Sequence, residues 1–275
     1  TLKMQKDNTV TMEKIVSLAK RRGFVYPGSE IYGGLSGFWD YGPLGLELKN
    51  NIKALWWRTF VQNRDDMYGV DAATLMNPKV WEASGHVAGF ADPLVECDKG
   101  EKRFRADTLE DANACPECKG TLGEVRAFNM MFKTHAGAAE DESATVYLRP
   151  ETAGGTFANS KNGVDSTQPK LPFGIAQIGK AFRNEIAPRD FIFRLRELTQ
   201  MEVEYFVRPG EWEQAFVLWQ GIMHEYAIAL GLPRESVHEL EVPESDRAHY
   251  SKRTIDFEFD YPFGRKELWG LAYRG

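Results

Sequence analysis

Arginine and glutamate side chains concentrate in residues 180–206, where the sequence Phe-Arg-Asn-Glu is followed by a polar loop. Arg183 and Glu185 alternate along a predicted strand and therefore point to the same face. The loop returns to the sheet through Arg194 and Arg196. Planar guanidinium groups match phosphate oxygens, so the cluster suits a polyphosphate held in a groove. Taken alone, a surface network of ion pairs is an equally good interpretation.

Three cysteines form a second group of candidate ligands, and all lie between residues 97 and 125. Cys115 and Cys118 have the Cys-x-x-Cys spacing of a metal-binding knuckle. Cys97 would begin a second knuckle, but Gly100 stands where its other cysteine belongs. Structural zinc takes four ligands. The sequence therefore predicts an incomplete zinc site, unless a distant histidine or carboxylate completes it.

The strands that must hold these groups follow from the hydrophobic pattern. We predict strands at 145–148, 173–182 and 195–207, and a half-buried strand at 255–261 in which apolar and acidic residues alternate. Polar residues 183–194 join the second strand to the third, which indicates an antiparallel pair with an extended loop. The chain is therefore predicted to be α+β, built around an antiparallel β-sheet flanked by helices.

Three helices are predicted, at 9–22, 43–61 and 212–230. The second carries a wide apolar and aromatic stripe, which indicates either core packing or a subunit interface. Trp56 and Trp57 are adjacent in it, and neighbouring side chains leave a helix about 100° apart. One indole is therefore expected in the core and the other on the outside.

Composition limits the class of protein. A chain of 275 residues with 43% hydrophobic and 27% charged residues can bury a full core, which excludes disordered and collagen-like proteins. No apolar run reaches the roughly 18 to 20 residues that cross a bilayer, and the N-terminus lacks a signal peptide's apolar stretch, so we expect a cytoplasmic chain. The net charge of -6 argues against nonspecific coating of nucleic acid and leaves a local basic patch for such a partner.

Five longer motifs follow one another along the chain: WDYGPLG at 39–45, LMNPKVWEASGH at 75–86, RPETAGG at 149–155, the arginine-rich segment at 180–206 and GRKELWGLAYR at 264–274. Together they resemble the glycyl-tRNA synthetases of the dimeric bacterial type, a family of class II aminoacyl-tRNA synthetases, with the arginine-rich segment as motif 2. The resemblance covers about residues 12 to 274. It implies the class II catalytic core, ATP-dependent activation of glycine to glycyl-adenylate, and transfer of glycine to tRNA(Gly).

The resemblance also implies how ATP is held. Arg183 would bind the α-phosphate and the attacking carboxylate, Glu185 the adenine amino group, and Arg194 the terminal phosphates. Glu267 would help to hold Mg²⁺ and the nucleotide. The carboxylate of glycine is already ionised at neutral pH, so the reaction needs positioning and charge stabilisation rather than a general base. The implied ATP-binding set, whose catalytic members are Arg183 and Glu185, is Arg183, Asn184, Glu185, Phe193, Arg194, Leu195, Arg196, Glu197, Leu198, Glu267 and Leu268.

For the amino acid, the family uses acidic groups at the ammonium and a positive group at the carboxylate. Glu151 and Glu202 match the acids, Arg274 is the candidate for the carboxylate, and Arg105 is a further contact. Glycine is the smallest amino acid, so a wall near its α-carbon would exclude every larger one. The implied glycine-binding set is Arg105, Glu151, Leu198, Thr199, Gln200, Met201, Glu202 and Arg274.

Other polar residues have plain structural interpretations. Without the motif, Glu202 and Glu204 would be assigned to the solvated face of a strand. Asp256 and Glu258 alternate with apolar residues and are interpreted in the same way. His86 is interpreted as a hydrogen-bonded structural histidine, since nothing in its spacing makes it a ligand.

The sequence departs from the family pattern at several places. Gly154 stands where the family has glutamine, and Leu198 stands where an aromatic ring stacks on adenine. The cysteine module lacks its second cysteine. The sequence ends at Gly275, where the family continues to motif 3, with a second phosphate-binding arginine, and to an anticodon-binding domain. Reduced activity is therefore expected for this segment alone.

The motifs divide the chain into a first part of the catalytic core at 1–96, an inserted zinc-ribbon-like module at 97–125, and the remaining core at 126–275. Motif 1, matched by the helix at 43–61 and a strand at 67–76, implies a homodimer. The expected partners are glycine, ATP, Mg²⁺ and tRNA(Gly), with no membrane. A non-catalytic accessory subunit built on the same fold is the alternative function, and the intact Phe-Arg-Asn-Glu and RPET segments disfavour it.

Overall fold

Residues 10–100, 102–111, 113–138 and 141–275 are described by the structure, a computed structural model. Residues 1–9, which include Thr9 at the start of the first predicted helix, lie outside the described residues. The same holds for residues 101 and 112 of the predicted cysteine module.

The described α-helices are α1 (Met12–Arg21), α2 (Pro43–Trp57), α3 (Lys79–Ala83), α4 (His86–Gly89), α5 (Ala153–Thr167) and α6 (Trp212–Ala229). The described strands are β1 (Val25–Pro27), β2 (Trp39–Tyr41), β3 (Met67–Gly69), β4 (Ala91–Glu96), β5 (Arg103–Arg105), β6 (Arg126–Asn129), β7 (Lys133–His135), β8 (Thr145–Tyr147), β9 (Phe173–Phe182), β10 (Glu197–Phe206), β11 (Val237–Glu241), β12 (Ser251–Tyr261) and β13 (Gly264–Arg274). No described helix is both long and apolar enough to cross a membrane.

Strands β9 and β10 form the hairpin that the sequence predicts. They pair antiparallel along their whole length, from Glu197 opposite Phe182 to Phe206 opposite Phe173. Strand β3 adds to the other side of β9 in parallel. Strands β11, β12 and β13 form a second sheet, entirely antiparallel, which contains the strand predicted at 255–261. The α+β prediction is therefore confirmed, with one parallel pair added to the antiparallel sheets.

Helix α6 packs between these sheets and its boundaries confirm the helix predicted at 212–230. Trp219 and Tyr226 of α6 pack against Phe60 and against the inner face of β9 and β10. Phe216, on the neighbouring side of α6, packs against β12. A helix with apolar residues at steps of three and four buries them along one broad face, which here serves both sheets.

The helix predicted at 43–61 is two pieces. Helix α2 ends at Trp57, and residues Arg58–Gln62 form a π-helical turn. Trp57 does not supply the exposed indole that was expected. A Cβ on Gly69 would lie 2.5 Å from its ring, so the indole rests directly on β3. The exposed large apolar side chains of α2 are instead Leu44, Leu46 and Leu48, at 48%, 48% and 50% exposure.

The start of α2 packs backbone to backbone on the preceding segment. A Cβ on Gly45 would lie 1.8 Å from the carbonyl oxygen of Phe24, and one on Gly42 would lie 2.4 Å from that of Gly23. Pro43 occupies the first turn, where its missing N–H is not needed. Glycine is thus required at both positions because no side chain fits between the two backbones.

Candidate active site

The outer face of β10 carries four of the side chains that form the candidate site. Leu198, Gln200, Glu202 and Glu204 point the same way, because alternate residues of a strand share a face. Met201, which was predicted in the glycine-binding set, packs instead into the core beneath the sheet. Thr199 shares that inner face, so these two residues can offer a substrate only their backbone groups.

The turn before α5 fixes the middle of this face. The backbone N–H of Thr152 donates to Oε1 of Gln200 at 2.9 Å, and its hydroxyl donates to Oε2 of Glu202 at 2.5 Å. Thr152 is completely buried. Burial raises the pKa of Glu202 despite the Thr152 hydrogen bond. Strand β10 and the turn at Thr152 thus hold the carboxylate of Glu202 at the N-terminus of α5, where negative charge is stabilised.

Arg149 ties the RPET segment to the sheet. Its guanidinium is 2% exposed and donates to the carbonyl oxygens of Ala72, at 2.7 Å, and Lys180, at 2.5 Å. These bonds cross from one segment of the chain to another, so they fix where the next residues lie. The arginine of this motif is therefore a structural residue that places Glu151 over β10.

Glu204 was assigned to the solvent face from sequence, and the structure places it in the acidic group. Nη2 of Arg274 donates to Oε1 of Glu204 at 3.2 Å, and the Glu204 side chain is 12% exposed. The Arg274 guanidinium also lies over the rings of Tyr250, at 4.1 Å, and Phe157, at 5.0 Å. Burial raises the pKa of Glu204 to about 7, a shift that Arg274 opposes and neighbouring carboxylates reinforce.

Glu151 is the third carboxylate of the acidic group, and its pKa is shifted in the opposite direction from that of Glu204. Burial alone would raise its pKa, but a hydrogen bond from His86 and the charges of Arg183 and Arg274 lower it below its ordinary value. We define the acidic pocket as Glu151, Glu202 and Glu204 with Arg274. A pocket with three carboxylates and one guanidinium suits a small molecule that carries an ammonium and a carboxylate.

Arg183 lies at the end of β9, next to the acidic pocket. Its Nε donates to the carbonyl oxygen of Pro150 at 3.1 Å, and its guanidinium lies 5.6 Å from the ring of Phe90. In the described part of the chain no carboxylate forms an ion pair with it. The charge of Arg183 is therefore held in position and available for an anion.

Glu185 and Arg194 form an ion pair with each other. Nη1 of Arg194 lies 3.2 Å and 3.3 Å from the two carboxylate oxygens of Glu185, which is 4% exposed. Nε of Arg196 donates to the carbonyl oxygen of Glu185 at 3.0 Å. The segment that leads into β10 thus contacts Glu185 through both arginines. A carboxylate has about four acceptor sites, so Glu185 can accept from a further N–H while the pair persists.

The remaining predicted ATP-binding residues are spread around this pair. Phe193 packs on the rings of Tyr261 and Phe263, which anchors the loop to the hairpin of β12 and β13. Leu195 is buried, and Glu197 pairs with Lys180 on the far side of the sheet from Leu198. The Asn184 backbone N–H donates to Met130, and Leu268 is half-buried on β13.

Glu267 faces two further carboxylates on the second sheet. Partial desolvation and the carboxylate of Asp256 raise the pKa of Glu267, while Arg183 and Arg194 lower it. Glu258 lies opposite Glu267 in the register of β12 and β13. Asp256 and Glu258 are half-buried, which differs from the fully solvated face expected from sequence. Carboxylate oxygens are the ligands that Mg²⁺ takes, so this group fits a magnesium ion shared with phosphates.

Arg105, predicted as a glycine contact, has other partners. Its guanidinium binds Asp92 at 2.9 Å and Asp107 at 2.7 Å. The hydrogen bond to Asp107, followed by the charges of Asp92 and Glu185, raises the pKa of Arg105. None of these three residues belongs to the acidic pocket. The structure therefore groups Arg105 with the Glu185 end of the site.

Gly154 lies against a buried indole. A Cβ at this position would be 2.8 Å from the ring of Trp81, which is completely buried. A side chain at Gly154 would therefore require Trp81 to shift. The polar group present in this region is the amide of Gln200.

The three cysteines come together in the described residues. Their sulfur atoms lie within 4.8 Å of one another, with Sγ of Cys97 and Cys118 at 3.4 Å. Cys97 and Cys115 are buried and Cys118 is exposed. These spacings fit three of the four sulfur positions around a tetrahedral zinc ion. Among the described residues, a Cβ on Gly100 would meet only Cγ of Lys102, at 3.9 Å, so a side chain at this position would have room.

Comparison with known proteins agrees with this geometry. Residues 132–268 match the family model described as the tRNA synthetase class II core domain (G, H, P, S and T). This range begins before the acidic pocket and ends within β13, and it contains the whole motif 2 hairpin. The chain therefore belongs to the class II tRNA synthetases.

Curated relatives specify the branch of this class. The glycine--tRNA ligase of Alkaliphilus oremlandii is 50% identical over 292 residues, which cover 96% of this chain and 63% of that protein. The glycine--tRNA ligase of Treponema denticola is 50% identical over 98% of this chain and 60% of its own length. That of Geobacillus thermodenitrificans is 49% identical, with 98% and 64% covered. The chain thus spans about three-fifths of the length of these relatives.

Proposed function

We propose that this chain carries the glycine-activating site of a glycine--tRNA ligase. The observation that carries the proposal is the order of neighbouring charged groups: the acidic pocket, then Arg183, whose charge acts on both Glu151 and Glu267, then the Glu185 and Arg194 pair beside Glu267. A zwitterionic amino acid in the pocket would direct its carboxylate toward Arg183. The named relatives support glycine as that amino acid.

The chemistry is a displacement at phosphorus. A carboxylate oxygen of glycine attacks the α-phosphorus of ATP, the bond to the bridging oxygen of pyrophosphate breaks, and glycyl-adenylate and pyrophosphate result. Arg183 would hold the attacking carboxylate and the α-phosphate together and stabilise charge on the phosphoryl oxygens. Glu267, with Asp256 and Glu258, would hold Mg²⁺, which neutralises phosphate charge when it is bound.

Transfer to tRNA(Gly), ATP use and a cytoplasmic location are part of the same proposal. They are supported by the family match and by the names of the relatives. A non-catalytic accessory subunit is not favoured, because the relatives are named as ligases and Arg183 keeps its charge free for an anion.

Exchange of labelled pyrophosphate into ATP tests the proposal directly. The purified protein should catalyse this exchange when glycine and Mg²⁺ are present, and alanine or serine should not replace glycine. Exchange that is independent of the amino acid, or equal with alanine, would overturn the glycine assignment.

We further propose a homodimer formed through the exposed leucines of α2. Glutamate at Leu48 should shift the sedimentation mass from about twice the 31.2 kDa of the chain to that of the monomer, because a charge would be buried at the interface. Leu218 on α6 is equally exposed, at 50%, and is the matched control. A dimer that persists in Leu48→Glu, or that is lost equally in Leu218→Glu, would place the interface elsewhere.

The cysteine cluster is proposed to bind zinc only weakly. Elemental analysis of the purified protein should find well below one zinc per chain, because three thiolates leave the tetrahedron incomplete. The variant Gly100→Cys, which adds a thiol in open space, should bring the content to one zinc per chain. Full occupancy in the unmodified protein would mean that a fourth ligand exists.

A further inference from the structure

His86 lies directly behind Glu151, and the proposed reaction gives it no task. Its Nε2 is 3.5 Å from Oε2 of Glu151, and its Nδ1 is 2.8 Å from the hydroxyl of Ser84. The His86 side chain is 15% exposed. Both ring nitrogens thus have polar partners on opposite sides of the ring.

The ring itself is fixed by its surroundings. It meets the ring of Trp81 edge to face at a centroid distance of 5.5 Å, and it also packs on the ring of Phe90 at 5.2 Å. The side-chain amide of Asn129 donates to the carbonyl oxygens of His86 and Val87, at 3.1 Å and 2.8 Å. Helix α4 is only one turn long, so these contacts, rather than the helix, determine where the imidazole points.

The hydrogen bonds have a consistent direction. When Ser84 donates to Nδ1, the neutral ring must carry its proton on Nε2, facing Glu151. When the ring is doubly protonated, Nδ1 donates to Ser84, whose hydroxyl can donate to the carbonyl oxygen of Trp81, 3.4 Å away. The other neutral tautomer would place the lone pair of Nε2 against the carboxylate of Glu151, 3.5 Å away, so the states that carry a proton on Nε2 are favoured. The carboxylate is therefore oriented whether or not the histidine is charged.

We propose that His86 is a positioning residue that holds one oxygen of Glu151, so that the other oxygen is presented to the ammonium of the amino acid. The inference rests on the proposed function, because Glu151 is placed at the ammonium there. The inference goes beyond the proposed function because it identifies the turn of Ser84 and His86 as the feature that orients the carboxylate of Glu151. A carboxylate without this N–H would rotate among several positions. Fixing it in one of them when the substrate binds would cost conformational entropy.

Two variants separate positioning from packing. His86→Phe keeps an aromatic ring between Trp81 and Phe90 but removes the N–H, whereas His86→Gln keeps an N–H near the place of Nε2. In glycine-dependent pyrophosphate exchange, His86→Phe should raise the KM for glycine about 10- to 50-fold and leave the KM for ATP nearly unchanged. His86→Gln should recover most of the loss.

Equal effects of the two variants, or equal increases in the two KM values, would overturn the proposal and leave His86 a packing residue. A second measurement does not depend on activity. Nitrogen-15 shifts of the histidine rings should show a proton on Nε2 of His86, and Glu151→Gln should shift that resonance while leaving His238, paired with Asp260 on β12, unchanged. An Nε2 without a proton would also reject the inference. Absence of glycine-dependent exchange in the unmodified protein, with these resonances as expected, would instead reject the proposed function.

Discussion

Replacing Arg183 with alanine should reduce glycine-dependent pyrophosphate exchange by about 100- to 1,000-fold, the usual loss when a preorganised charge that contacts a transition state is removed. The expectation follows from two observations. The guanidinium is held by the carbonyl oxygen of Pro150 and by the ring of Phe90, and no described carboxylate forms an ion pair with it. It therefore meets phosphate without losing an existing ion pair.

Folding must be separated from chemistry in this test. Arg208 is an exposed arginine in the turn before α6, paired with Glu211 at 3.5 Å, and Arg208→Ala is the matched control for loss of one charge. Thermal unfolding of both variants should be close to that of the unmodified protein. A residual exchange rate above one-tenth in folded Arg183→Ala would show that another group holds the α-phosphate.

Changing Glu204 to glutamine should remove a pH dependence from both stability and glycine binding. The pKa of Glu204 is raised to about 7 by burial, from an ordinary value of 4.5. The folded protein therefore holds this proton more tightly than the unfolded chain does. The resulting stabilisation is complete below about pH 4.5 and is lost as pH rises through about 7, in total about 3 kcal/mol.

Urea unfolding of Glu204→Gln and of the unmodified protein, at pH 5 and at pH 8, measures this effect as a difference in the free energy of unfolding. The free energy of unfolding of Glu204→Gln, relative to the unmodified protein, should increase from pH 5 to pH 8. Glu213→Gln, at an exposed position of α6, is the control and should show no such trend. A parallel response of Glu204→Gln and the unmodified protein would mean that Glu204 is ionised in both the folded and unfolded states.

Glycine binding should respond to pH in the opposite direction. In the proposed glycine complex the ammonium lies in the acidic pocket and favours the ionised form of Glu204, so the affinity of the unmodified protein should rise about tenfold between pH 6 and pH 8. Calorimetric titration with glycine at both pH values measures it. In Glu204→Gln this rise should disappear, and the affinity at pH 8 should be lower than in the unmodified protein.

Local patterns are enough to predict the elements that carry the site. Helix α6 and strands β9 and β10 were predictable because each repeats its apolar residues at its own period over ten residues or more. Residues brought close by the fold were not predictable in this way. Glu204 has the same alternation as any solvated strand residue, and only the arrival of Arg274, 70 positions later, makes it part of the acidic pocket.

Contacts between residues distant in sequence also explain the other positions where the structure differs from the sequence prediction. Trp57 and Trp56 look alike in a helical pattern, and the missing side chain of Gly69 on β3 is what leaves room for the Trp57 indole against the sheet. The pairing of Glu185 with Arg194 depends on how the motif 2 loop turns back. The family motif identified these residues without showing that they contact each other. The sequence offered no signal for His86 beyond its place in the SGH segment.

The tight backbone contact at Gly42 and Gly45 bears on what sequence searches detect. These glycines give WDYGPLG much of its character, yet neither touches the acidic pocket or Arg183. They are needed because a methyl group would overlap the carbonyl oxygens of Gly23 and Phe24. A descendant of this fold that had lost catalysis would still have to keep them. A match to WDYGPLG therefore diagnoses ancestry, whereas the segments that carry the site residues, such as Phe-Arg-Asn-Glu, RPET and GRKELWGLAYR, distinguish an active synthetase from an inactive relative.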